Sequence, residues 1–162
     1  MYFWENNQQR AFDFARELKK KPRPGKELIK TPAVLGAVID MGFCLDLLDT
    51  EYLKLVKDSY QTLEESCKTL GITLPANRNI PGSSDLLLRR LDCAVIENLH
   101  GQRKLNNLTS FDAARGVFVE GKELYPSAGF NEKNHIQICI RNPNCIKGFF
   151  IPRSTDSSYD IP

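Results

Sequence analysis

Apolar side chains near the start of the chain recur at intervals of three and four. Between residues 7 and 18 they are Ala11, Phe12, Phe14, Ala15 and Leu18, which predicts a short amphipathic helix. The stretch Lys19-Lys20-Lys21-Pro22-Arg23-Pro24-Gly25 ends it, because two prolines and a glycine cannot continue a helix. Residues 33–45 form a nearly continuous apolar run with β-branched residues and glycines, the pattern of a strand covered on both faces at the centre of a sheet. Asp49 then stands where an N-cap belongs. Leu53, Val56, Tyr60 and Leu63 repeat at helical spacing towards Gly71, which predicts the longest helix.

A loop rich in Pro, Asn, Gly and Ser covers 73–84. Helical spacing returns over 85–100 through Leu87, Leu91, Val95 and Leu99, with Gly101 as the stop. The last third has the β-branched, alternating character of strands at Val117-Phe118-Val119, at 136–140 and at 145–151. The last two, joined at Asn142-Pro143-Asn144, predict a terminal hairpin. There is no internal repeat. The expected fold class is α+β: a single domain over 1–152, in which a mixed, largely antiparallel split sheet is packed by two or three helices, followed by a tail at 153–162.

Composition narrows the function classes. With 162 residues, 41% of them hydrophobic, the chain suits one ordinary domain with a real core. Lys+Arg 22 against Asp+Glu 20 leaves a net charge of +2, too balanced for a protein whose main task is coating nucleic acid. A local basic groove at 19–26 stays open beside the plainer reading of a solvated loop. No apolar run approaches the roughly 20 residues of a membrane helix, and the N-terminus has neither a basic nor a long apolar leader segment, so a cytoplasmic location without membrane partners is expected. The five cysteines are scattered and unpaired in spacing, which points to reduced thiols rather than to a zinc ribbon or a disulfide framework.

Familiar phosphate-binding, zinc-protease and nucleophile-elbow motifs are missing, and two histidines, His100 and His135, give no ligand set for a metal. His135 opens a strand with Gln137 two residues on, hence on the same face. Such a pair is costly to bury unless hydrogen-bonded, so it faces solvent or lines a cleft. Arg115, Glu120, Lys122 and Glu123 flank the strand at Val117, where surface charge is the default. Three aromatics in the first four residues predict that the chain begins inside a packed element.

Tyr2-Phe3-Trp4-Glu5, the helix carrying Ala11 and Ala15, the strand Val34-Leu35-Gly36-Ala37-Val38-Ile39-Asp40 and the late strand His135-Ile136-Gln137-Ile138 together resemble the ADP-ribosyltransferase fold of poly(ADP-ribose) polymerases and many bacterial toxins. The likeness runs from Tyr2 to about Pro152. It implies NAD as substrate, a protein or nucleic acid as acceptor, a toxin or defence role, and a partner protein of the antitoxin kind. Tyr2 matches the tyrosine that packs on nicotinamide, and a histidine-bearing strand is expected ahead of it. Gln137 takes the approximate place of the catalytic glutamate, with His135 beside it at the ribose. Arg115 would pair with the pyrophosphate. Cleavage of the nicotinamide–ribose bond passes through an oxocarbenium-like state that a carboxylate stabilises while holding a ribose hydroxyl. Glutamine holds the hydroxyl only, a loss of about 10²–10³ in rate by analogy with removing one preorganised electrostatic group. Glu120 is the first carboxylate expected to supply the charge, with Glu123 and Glu132 behind it. The alternative is a degenerate or truncated domain that binds a protein or nucleic-acid partner without catalysis.

Overall fold

The computed structural model of the chain describes residues 1–22, 25–79, 85–153 and 158–159. β1 (Tyr2–Trp4) leads into α1 (Gln8–Lys20), whose N-cap Asn7 accepts a hydrogen bond from the Arg10 N–H at 2.9 Å. Then come β2 (Gly36–Ile39), β3 (Cys44–Asp46) and α2 (Thr50–Leu70). Asp49 caps α2 by accepting from the Glu51 N–H, and Gly71 closes it in the left-handed region at φ 64°, where a missing Cβ removes the steric cost. β4 (Asn77–Arg78) pairs with β5 (Leu88–Arg89) ahead of α3 (Arg90–Leu105). β6 (Ala113–Phe118), β7 (His135–Ile140), a 3-10 turn at Pro143–Cys145 and β8 (Ile146–Phe150) complete the order.

Among the described residues the main sheet has four strands in the order β1-β7-β6-β3, with β3 parallel to β6 and the other pairs antiparallel. β2 and β8 form a second, antiparallel pair. The two sides of the main sheet are covered differently. Ala113, Ile138 and Ile140 point with Phe3 towards Cys145, Ile39 and Ile146 of the β2–β8 layer. On the other side Leu45 and Ala114 meet Leu99, Ile96, Tyr52, Val56 and Phe111 beneath α2 and α3. The two helices are clasped by Ser59, buried on α2, whose hydroxyl donates to the Val95 carbonyl at 2.9 Å while Asn98 donates to the Ser59 carbonyl at 2.9 Å.

The chain is thus a single α+β domain with mixed sheets, but several expected elements change. The run at 33–45 is two strands in two different sheets, with β3 at a sheet edge. The break at Gly42, φ 58°, lies against the Asp112 carboxylate, which accepts from the Phe43 N–H at 3.0 Å. The expected hairpin of the last two strands does not form: β7 pairs with β1 and β6, whereas β8 crosses to β2. The turn at Asn142 passes the chain from one layer to the other. The third helix starts later than its hydrophobic spacing indicates and runs through Gly101 to Leu105, because Leu88 and Arg89 are taken into β5 and a glycine inside a helix costs only about 1 kcal/mol. Residues 80–84 of the expected loop, Arg23 and Pro24 of the helix-ending stretch, and 154–157 and 160–162 of the expected tail lie outside the described residues.

Candidate functional site

Strand alternation decides which side chains meet. The register sets Trp4 and Gly116 beside Gln137, Phe118 beside His135, and Tyr2 and Ala114 beside Cys139. All therefore share one face of the main sheet, the helical side. Phe14 of α1 packs on Trp4 with ring centroids 5.0 Å apart. Tyr2 is 65% exposed at the outer end of this strip, and the charge of the neighbouring Cys139 thiolate, then partial burial, raises its pKa above the ordinary value.

At the inner end the His135 ring is 6% exposed and lies flat on Phe118, with centroids 5.6 Å apart and planes 13° apart. Trp4 stands on it at 6.2 Å, and the Arg89 guanidinium covers Phe118 at 4.5 Å. Nδ1 of His135 is 2.6 Å from the Lys133 carbonyl oxygen, and its Nε2 is 2.9 Å from the Gln137 amide nitrogen. The sequence left solvent or a cleft open for this pair; the structure buries His135 and leaves Gln137 half-buried, with the two side chains bonded to each other. Gly116, next to Gln137, lies close under Leu47: a Cβ there would be 3.3 Å from the Leu47 Cδ1.

Glu120 follows β6 on the same side, but it is 8% exposed and paired with Arg10 of α1, Nη2 to Oε2 at 3.4 Å. Arg10 is equally buried, and its Nε and Nη1 atoms have no hydrogen-bond partner. Glu120 is thus a counter-charge holding α1 to the end of β6, not a carboxylate next to Gln137. Glu123 accepts from the Ser127 N–H at 3.1 Å, and Glu132 is exposed.

Arg115 belongs to the opposite side of the sheet. Its Nε and Nη2 donate to Glu5 at 3.0 and 2.8 Å, and its Nη1 donates to Asp46 at 3.0 Å. Hydrogen bonding to Glu5 keeps the guanidinium more firmly charged than an ordinary arginine. It ties the end of β1 to β3 and is not brought to the His135–Gln137 strip. In the basic stretch Lys19 donates to the Lys30 carbonyl at 2.7 Å, and Lys20 and Lys21 are exposed.

Sequence reasoning missed Arg10 and the ring walls. Arg10 stands four residues before Phe14, on the buried stripe of α1, and that spacing was the available signal. Phe118 and Trp4 as walls of one strip needed the strand register. Two surface depressions, one along α2 at Thr62, Ser66 and Thr69 and one at Phe12, Val34 and Ile151, lie away from this strip. Among the described residues no cluster of three His, Cys, Asp or Glu side chains is placed to hold a metal ion, and no helix is long and apolar enough to cross a membrane. Compared with protein families, curated proteins and solved structures, the chain finds no match.

Proposed function

We propose that the chain is an NAD-dependent ADP-ribosyltransferase domain of the toxin or defence kind, with the nicotinamide end of NAD on the β1–β7 strip. The observation that supports this best is the register of β1 on β7, which sets the aromatic strand of Tyr2 and Trp4 alongside His135 and Gln137 on one sheet face. In this reading the half-exposed Tyr2 ring stacks on nicotinamide, and Gln137 holds a ribose hydroxyl. The C–N bond to nicotinamide breaks with the electron pair leaving on the base, and a nucleophile of a protein or nucleic-acid acceptor takes the ribosyl carbon. Arg115 has no part in it, since two carboxylates already occupy its fork.

The ion-paired Glu120 favours a second reading, a domain of the same build that binds a partner without transfer, because the carboxylate expected to supply the charge is engaged by Arg10. Incubation with radiolabelled NAD and cell extract separates the two. Label on a protein or nucleic acid, lost in Tyr2→Ala, supports transfer. NAD-dependent thermal stabilisation without transfer or hydrolysis supports the binding domain, and neither stabilisation nor turnover removes NAD altogether.

A further inference from the structure

We propose that His135 is a positioning residue that selects which atom of the Gln137 amide faces the strip: the acceptor oxygen while the imidazole is neutral, the donor N–H once it is an imidazolium. Only the identity of the ligand rests on the NAD reading above. A carbonyl oxygen can only accept, so the Lys133 carbonyl 2.6 Å from Nδ1 requires a hydrogen on that nitrogen. In a neutral ring Nε2 is then a bare acceptor. The Gln137 atom 2.9 Å from it must be the amide nitrogen, which donates, and this leaves the carbonyl oxygen as the atom of the amide on the side away from the ring. A second ring proton reverses this. Nε2 becomes a donor, only the amide oxygen can meet it, and the amide turns over to present its NH2 group.

The ring cannot respond by turning instead. Phe118 is stacked on it and Trp4 adjoins it, and rotation would break the bond to Lys133. Charged side chains on the elements packed here include three ion pairs: Arg10 with Glu120, Lys133 with Glu17, and Arg89 with Asp92. Tyr2 of β1 and Cys139 of β7 are neighbours in the register and the further titratable side chains on this face. The imidazole is the group whose proton changes the polarity of the Gln137 amide, because its Nε2 is bonded to that amide. With a neutral ring the strip offers an acceptor and takes a ligand donor such as an amine or amide N–H; with an imidazolium it offers a donor and takes an acceptor such as a phosphate or carboxylate oxygen, whereas a hydroxyl, which both donates and accepts, is held in either state. A carboxylate at position 137 has no hydrogen to give a bare Nε2 and is compatible only with a protonated ring, so His135 and Gln137 form a matched pair.

Nitrogen-15 NMR of the full-length chain, with labelled histidine and glutamine side chains and His100→Leu used for assignment, tests this without any ligand. The expected result is an Nδ1-protonated neutral ring, with the Gln137 amide resonances shifting in step as His135 takes its second proton. An Nε2-protonated tautomer, or Gln137 resonances that ignore the titration, overturns the proposal. In Gln137→Glu the ring is expected to carry hydrogens on both nitrogens under conditions where the wild-type ring carries one, because a carboxylate has no hydrogen to give Nε2, and a ring that stays singly protonated refutes the pairing. Absence of NAD binding at every pH removes the NAD reading and leaves the tautomer result standing.

Discussion

Replacing Arg115 by Met keeps most of the side chain's volume and removes the guanidinium that joins Glu5 and Asp46. The side chains of Arg115, Glu5 and Asp46 are 19%, 24% and 33% exposed, so the cluster lies between two known limits. Exposed ion pairs contribute about 0.2–1 kcal/mol, whereas breaking a buried pair costs about 3–5 kcal/mol because a charge is left without a partner. Here one pair is bidentate, the other has its closer contact at 3.0 Å, and both carboxylates would be left facing each other. At about 1.5 kcal/mol for each charge-assisted pair the loss is about 3 kcal/mol, a large share of the roughly 5–15 kcal/mol that holds a domain together. For a chain of this size that lowers Tm by about 6–12 °C. The assay is thermal and urea unfolding of wild type, Arg115→Met, Glu5→Gln, Asp46→Asn and the double variants, whose cycles isolate each pair. NAD-dependent thermal shift is read on the same samples. A Tm within 2 °C of wild type, together with loss of NAD stabilisation, would refute the reasoning and return Arg115 to a phosphate-binding role.

Arg10→Met strands the buried Glu120 carboxylate and is expected to cost about 3–5 kcal/mol in urea unfolding, with much of the loss recovered by Arg10→Met/Glu120→Gln; no recovery in the double variant contradicts the pairing. Gly42→Ala combines a left-handed backbone with a Cβ 2.7 Å from Asp112 Oδ2, so a destabilisation of about 2 kcal/mol is expected, and a neutral substitution in the same measurement would count against the break described there. Burial, then the nearby Arg141, lowers the pKa of His100 below the ordinary 6.5 of a histidine. The unfolded chain therefore binds a proton more readily than the folded one, and stability falls as pH drops from about 6.5 towards the lower folded value. His100→Leu is expected to flatten this part of the Tm-against-pH curve, and a parallel curve would show that other groups set it.

Local signals along the chain located the helices and most strands. Asn7 and Asp49 carry capping oxygens, Gly71 has no Cβ to clash at positive φ, and the apolar stripes of α1 and α2 repeat at the helical period. Each of these preferences acts over a few residues and is written where it acts. The polar His135–Gln137 pair was legible for the same reason, since alternation puts residues two apart on one face. Which strands pair was not legible. The apolar runs 33–45 and 136–151 read as one central strand and one hairpin, yet Gly42 and the Asn142 turn send their halves to different sheets. Hydrophobic pattern states that a face is covered but not by what. The same limit governed the site. The residues of a strip around Gln137 could be listed from the sequence, but only the register of β1, β6 and β7 put Trp4 and Phe118 around His135. Arg115 lies one residue from Gly116, and that single step along an alternating strand carries it to the other side of the sheet. There Glu5 and Asp46, distant in sequence, take up its charge.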